Sequence, residues 1–313
     1  MKKSLWFLII FLTLSSRGFG ATLQRSQILS VPWGKGAGEV GHDLSKGPDD
    51  TDAGPVDFYV DPTRTICIAD IFNRRVVVFD RDGKFQRLID LPGGKSDTIE
   101  SISADNRTIF ALDLRGPGKP DSHILSWDAS GKLVQDISLK PLGIGLPLSL
   151  ERTSQGSFFI QDNMTFDTWH LDAAGKVLDK TPDDERLMTL TSQGQYRFDV
   201  KDSRVQVLSK DNQPLTYYWG EKGYLQILGI DSAGALYVIY DKGQGNFGLD
   251  RLAPDGGKRD TVTIQDAFDK KLLDPDRFTP DRPGRIAPDG TLYIMGEPTD
   301  STFKIFAYTL SSK

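Results

Sequence analysis

The chain has 313 residues, with 43 acidic against 38 basic side chains and a formal net charge of −5. That balance argues against nucleic acid and anionic membrane surfaces as partners. The length is enough to bury a substantial core, and a single cysteine, Cys67, excludes an internal disulfide.

Residues 1–20 have the organisation of a cleavable signal peptide. Lys2 and Lys3 precede an apolar run from Leu5 to Leu14, and Gly18-Phe19-Gly20 supplies small residues before a cut at Ala21. The run is too short to serve as a stable membrane anchor. No cysteine follows it that would carry a lipid. The expectation is an exported protein of bacterial type, periplasmic or secreted, with its folded domain at residues 21–313. Loss of Lys2, Lys3 and Arg17 with the leader takes the net charge from −5 to −8.

Gln27-Ile28-Leu29-Ser30-Val31 is next, a strand with no hairpin partner nearby. Gly34 to Gly54 is irregular. Gly36-Ala37-Gly38-Glu39-Val40-Gly41 is a formal match to the dinucleotide glycine pattern, but no helix or βαβ unit surrounds it. Asp49-Asp50-Thr51-Asp52 is the one run that suggests calcium, and it lacks the distal Glu of a calcium loop. A solvated acidic loop is expected there, and no cofactor.

Gly54 to Leu91 reads as one four-stranded β unit. Phe58-Tyr59-Val60 is followed by the turn Asp61 to Arg64, and Thr65 to Ala69 is a buried-type strand ending at Asp70. A polar loop with Asn73, Arg74 and Arg75 leads into Val76 to Phe79. The turn Asp80-Arg81-Asp82-Gly83 precedes a last strand, Phe85 to Leu91. Cys67 lies between Ile66 and Ile68, where a buried, inert thiol is expected.

The same strand–turn–strand core recurs at Thr108 to Asp113, Phe158 to Asp162, Gln195 to Asp199, Ala235 to Asp241 and Thr291 to Glu297. The spacing, roughly 38 to 55 residues, is that of propeller blades. The last unit supplies three clear strands, Gly284 to Ala287, Thr291 to Met295 and Phe303 to Leu310. The expectation is an all-β, six-bladed β-propeller whose last blade is completed by the N-terminal strand, which removes two exposed sheet edges.

The run Ile66 to Asp70, then Asn73-Arg74-Arg75 and Val76 to Asp80, then Gly83-Lys84-Phe85, resembles an NHL repeat. The other units keep the apolar strands and the turn but lose the Asn-Arg pair. The resemblance implies the propeller fold across most of the mature chain. Some six-bladed relatives of that family are calcium-dependent lactonases or zinc-dependent amidating lyases. The lactonase-type Asn-Asp-Gly signature is absent here, and the lyases need several channel histidines where this chain has His42, His123 and His170.

Turns after the first and third strands of each unit are short. Connections after the second and fourth are long, including Ile71 to Arg75, Leu114 to Ser122, Asn163 to Asp167, Lys242 to Phe247 and Gln265 to Pro283. Long loops on a rigid scaffold accumulate binding sites, so the functional surface is expected on that face. Candidate ligand-binding residues there are Asp70, Asn73, Arg74, Asp113, Arg115, Asp162, Asn163, Asp241, Asn246 and Glu297. A second role for the repeating acids is local: an Asp at the end of a strand accepts hydrogen bonds from its own loop. Trp33, Trp169, Tyr218 and Trp219 are aromatic candidates for a sugar or peptide site.

No His-x-x-x-His, Cys-x-x-Cys or Gly-x-Ser-x-Gly pattern occurs. The function expected is a non-catalytic, monomeric binding propeller for a protein, peptide or glycan. The alternative is a calcium- or zinc-dependent hydrolase, lactonase or lyase with its site at the channel mouth.

Overall fold

The computed structural model describes residues 22–42, 54–93, 98–105, 107–115, 121–153, 155–162, 164–165, 167–182, 187–191, 194–201, 204–208, 214–218, 225–243, 246–253, 258–264, 284–287, 289–295 and 302–311. The expected signal peptide and the Asp49 to Asp52 run lie outside them. Among the described residues, 24 strands form six four-stranded sheets, each antiparallel.

The chain begins with β1 (Thr22–Pro32). The first sheet is β2 (Asp57–Val60), β3 (Ile66–Asp70), β4 (Arg75–Phe79) and β5 (Phe85–Asp90). The second is β6 (Thr98–Ala104), β7 (Ile109–Arg115), β8 (Asp121–Trp127) and β9 (Leu133–Ser138). The third is β10 (Pro147–Arg152), β11 (Phe158–Asp162), β12 (Thr168–Leu171) and β13 (Val177–Thr181). The fourth comprises β14 (Leu187–Thr191), β15 (Gly194–Lys201), β16 (Arg204–Leu208) and β17 (Pro214–Tyr218). The fifth comprises β18 (Leu225–Ile230), β19 (Leu236–Gly243), β20 (Asn246–Leu252) and β21 (Lys258–Ile264). The sixth takes β22 (Gly284–Ile286), β23 (Leu292–Met295) and β24 (Thr302–Ser311), and then β1 from the other end of the chain. In the first five sheets the strands pair in chain order from an innermost first strand, and the sixth runs β22-β23-β24-β1 from the inside out. Each of β2, β6, β10, β14 and β18 contacts the first strand of the next sheet.

The sequence pattern explains the burial gradient. Ile66-Cys67-Ile68-Ala69-Asp70 and Arg75 to Phe79 are buried at every position, because both of their faces meet neighbouring sheets. Phe85 to Asp90 is only partly buried, as suits an outer strand. The core is accordingly a series of clusters between sheets. Ile99, Ile102, Ala111, Leu125 and Trp127 of the second sheet pack on Cys67, Ala69, Val76 and Val78 of the first. Phe110, Ile124, Phe158, Ile160 and Leu171 join the second to the third. Tyr237, Ile239, Leu292 and Ile294 join the fifth to the sixth. Phe58, Ile68 and Val77 meet Leu29, Val31, Tyr293, Met295 and Ile305, so the first sheet also packs on the sixth. Cys67 is buried as expected, and burial pushes its thiol up to about 12.

The short turns share one device. Asp80, Asp128 and Asp172 each accept, at Oδ1, the backbone N–H of the residues two and four positions on. The residue between is a glycine at positive φ: Gly83 (74°), Gly131 (84°) and Gly175 (85°). Glycine is demanded twice at position 175, since a Cβ there would lie 2.4 Å from Cγ2 of Ile137 on the adjacent sheet.

One expected loop is a hairpin instead. Lys242 to Phe247 is largely strand, with β19 running to Gly243 and Gly243 opposite Asn246 on β20. The polar residues Asp241 and Lys242 hid this, yet the backbone ladder needs only N–H and C=O groups and runs on through them. Asp241 therefore sits within a strand, opposite Phe247, and not at a strand end.

Candidate ligand-binding face and channel

The connections after second and fourth strands share one end of the sheets, and there Asp70 organises the first of them. Its Oδ1 accepts the N–H of Gly41 (3.0 Å) and of Asn73 (3.3 Å). Its Oδ2 accepts Nδ2 of Asn73 (2.9 Å) and Nε of Arg75 (2.8 Å). Four donors fill the acceptor sites of one carboxylate. Asn73 also donates to the Gly34 carbonyl (2.8 Å). The Arg75 guanidinium donates to the carbonyls of Lys35 (2.8 Å), Glu39 (2.9 Å) and Gly36 (3.3 Å). The triad thus clamps the segment from Gly34 to Gly41 onto the first sheet. Glu39 bonds back to the Gly36 N–H (2.6 Å), so this glycine-rich segment holds its own side chain. Arg74, at φ 54°, ties the same loop to the end of β5, its carbonyl accepting the Leu91 N–H (3.1 Å).

Asp162 repeats the arrangement on the third sheet. Oδ1 accepts the N–H of Leu146 (2.9 Å) and Met164 (3.0 Å), while Oδ2 accepts the N–H of Gly145 (3.0 Å) and the Thr165 hydroxyl (3.3 Å). Burial pushes this carboxyl up, but these donors outweigh it and hold it below the usual carboxylate range. The stabilisation is therefore present above the ordinary carboxylate range and lost as pH falls through the lowered value. Asp162→Asn is expected to cost about 1–3 kcal/mol at neutral pH. Its deficit against the wild type should shrink with acidification, as read by urea denaturation at several pH values.

Asp70 and Asp162 were candidates for a ring of ligand-binding acids. Their carboxylates are instead engaged with the loops, including the connection that enters their own sheet. Asn73 and Arg74 likewise hold loop backbone. Asp113 and Arg115 form a different group on the second sheet. Arg115 Nε donates to Asp113 Oδ2 (2.8 Å) and Nη2 to Asp136 Oδ2 (3.2 Å), and His123 lies beside them. Asn163 and Glu297 lie outside the described residues, as do the side chains of Asp241 and Asn246. Among the described acids, Asp70 and Asp162 are thus engaged with loop backbone and Asp113 with Arg115.

Large apolar side chains are exposed on the loops so fixed. Phe72 follows Asp70 by two residues, Met164 follows Asp162 by two, and Leu146 lies on the connection entering β10. Their exposures are 37%, 68% and 36%. The aromatic candidates pack within the fold. Trp33 lies 4.6 Å from the His42 ring and 5.7 Å from that of Phe303, and Lys180 stands 4.5 Å over Trp169. Trp219 and the Tyr218 side chain fall outside the described residues. His170 stacks on Phe159 at 4.4 Å and hydrogen-bonds the Ser157 hydroxyl.

The inner strands hold a cluster that no sequence pattern singled out. Arg285, the middle residue of β22, donates from Nη2 to both oxygens of Asp57 on β2 (2.9 and 2.8 Å) and to the Ile102 carbonyl on β6 (3.0 Å). Its Nη1 reaches Oε1 of Glu151 on β10 (2.9 Å). Asp57 also accepts the Ser101 hydroxyl and the Ile102 N–H. Tyr59 lies 5.1 Å beneath the guanidinium, and burial with the Glu151 charge pushes its phenol up to about 12, so it stays neutral. Burial opposes the charge on Arg285, but Asp57 and Glu151 outweigh it and raise the group above its ordinary value. Four sheets meet on one side chain. The only local signal was a charge in a three-residue inner strand.

No protein-family model and no curated protein matches the sequence. Solved structures do match. A Bacteroides fragilis protein described as exported aligns at a TM-score of 0.56 and 10% identity, over 92% of this chain and 95% of its own. A member of the DUF4221 family from Bacteroides vulgatus aligns at 0.54 and 11% identity, over 94% and 99%. Streptogramin B lyase aligns at 0.52 and 12% identity, over 92% and 98%. Among the described residues no helix is long and apolar enough to cross a membrane. These similarities are of fold, and the chain is by fold an all-β propeller.

Proposed function

We propose that the protein is an exported six-bladed propeller of NHL-like repeats. It binds a protein or peptide through the face built from the connections after second and fourth strands. The exposure of Phe72, Leu146 and Met164 on that face carries this reading. Exposed apolar side chains on loops at one end of a rigid scaffold are suited to docking a partner. The loops beneath them are fixed by Asp70, Arg75 and Asp162, which lowers the ordering cost of binding. Leucine and methionine favour a polypeptide ligand over a glycan, which would call for flat aromatic platforms. The saturated carboxylates of Asp70 and Asp162 favour binding over metal chemistry at those positions.

Selection from a displayed peptide library, with the mature domain as bait, tests this. Peptides that bind the wild type are expected to lose about tenfold or more in affinity for the Phe72→Ser/Met164→Ser variant, with an unchanged thermal melt. Peptides that bind both equally, or a glycan array that gives the only reproducible ligand, would sink the proposal.

A further inference from the structure

We propose that His123 is a proton-dependent clasp. As imidazolium it joins Asp136 to Asp121, and as a neutral ring protonated at Nδ1 it keeps Asp136 and turns its Nε2 lone pair to Arg115. The proposal stands on the hydrogen bonds of the second sheet and not on the binding reading above.

His123 lies on β8, opposite Asp113 on β7 and Ser138 on β9. Its Nδ1 is 2.5 Å from Asp136 Oδ1. A carboxylate only accepts, so Nδ1 carries a proton in either charge state. Nε2 has two neighbours of opposite kind, Asp121 Oδ1 at 3.2 Å and Arg115 Nη1 at 3.4 Å. With its proton, Nε2 donates to Asp121. Without it, the lone pair accepts from Arg115. The two partners exclude each other, and the proton selects between them.

The surroundings hold the device in place. Arg115 is fixed by Asp113 and Asp136, and although its burial opposes the charge, those carboxylates raise it above its ordinary value. Burial pushes Asp136 up, but His123 and Arg115 outweigh that and hold it below the usual carboxylate range. Asp121 also accepts the Ser138 hydroxyl (3.3 Å). The charged groups around the ring are Asp113 and Arg115 of β7, Asp121 of β8 and Asp136 of β9. Lys140 follows in the turn after β9, and Arg74 and Asp90 stand at the same end of the first sheet. Arg115 and Asp121, the two residues whose bonds change, face each other at the ends of β7 and β8. Deprotonation therefore leaves the half-exposed Asp121 carboxylate without its cation and adds one negative charge to that end of the sheet.

Nitrogen-15 NMR of the histidine rings in the full mature chain tests this, with carbon-13 detection of the Asp121 carboxylate. The neutral His123 ring is expected in its Nδ1–H tautomer, and the Asp121 signal is expected to step at the pH where the ring titrates. Asp136→Leu, which leaves Nδ1 without that acceptor, should shift the neutral ring toward its Nε2–H tautomer. Asp121→Asn should remove the carboxylate step and leave the Nδ1–H tautomer in place. A neutral wild-type ring carrying its proton on Nε2, or an Asp121 signal that does not follow the ring, overturns the proposal.

Discussion

Replacing Arg285 with methionine is expected to destabilise the protein by about 3–5 kcal/mol, the range for removing one partner of a buried ion pair. For a domain of this size that is a fall of roughly 10 °C in melting temperature. Most of the loss comes from what remains. Asp57 and Glu151 are nearly fully buried and would face each other as carboxylates without the guanidinium between them. Two further measurements separate this cause from simple loss of packing. Acidification should narrow the gap between variant and wild type, because protonation removes the uncompensated charge. The triple variant Arg285→Met/Asp57→Asn/Glu151→Gln should recover much of the stability, since neutral partners carry no stranded charge. A single variant within about 1 kcal/mol of the wild type would mean that the cluster contributes little.

Removing residues 22–33 is expected to abolish cooperative folding. β1 pairs with β24 from Thr22 opposite Ser311 to Pro32 opposite Thr302, with a bulge between Gln27 and Leu29. Leu29 and Val31 are buried against Phe58, Val60 and Phe303. Burial of each such side chain contributes about 1.5–3 kcal/mol, and the strand also covers the open edge of β24. A milder probe is Leu29→Ala, expected to cost about 2–5 kcal/mol. A synthetic peptide of residues 22–33 added to the truncated chain should restore a melting transition that rises with peptide concentration. A truncated chain that melts like the full one would refute the role given to β1.

The strands were legible because they are short runs of apolar, β-branched and aromatic residues bounded by glycine- or aspartate-containing turns, both local features. The pairing of β1 with β24 was legible by elimination, since Gln27 to Val31 had no partner and the last unit had a vacancy. Asp70 and Asp162 were found, but their role was not fixed by their spacing. Three of their eight donors, Gly41, Gly145 and Leu146, belong to the incoming connection and lie 29, 17 and 16 residues away. Asn73 was noticed with its neighbours as part of a motif, and the structure shows why it stands beside Arg75: together they hold four carbonyls of the Gly34 to Gly41 segment. Arg285 and Asp57 are 228 residues apart. No local pattern links them, because the ring brings them together only when every sheet between them is in place. Lys242 to Phe247 failed for the opposite reason, since polar side chains masked a ladder made by the backbone.

The pairing of the first strand with the last has a consequence for how the molecule is made. A ribosome delivers β1 long before β24, so the sixth sheet cannot be finished until β24 has been made. Early sheets can form while the chain grows, but the ring stays open, with an uncovered face on the first sheet waiting for residues near 300. Contacts of such long sequence separation form slowly. A chain cut short anywhere before β24 would leave β1 unpaired and the face of Phe58 and Val77 bare, the kind of surface that chaperones and proteases act on. Completion of the ring thus depends on every strand from β1 to β24 being present.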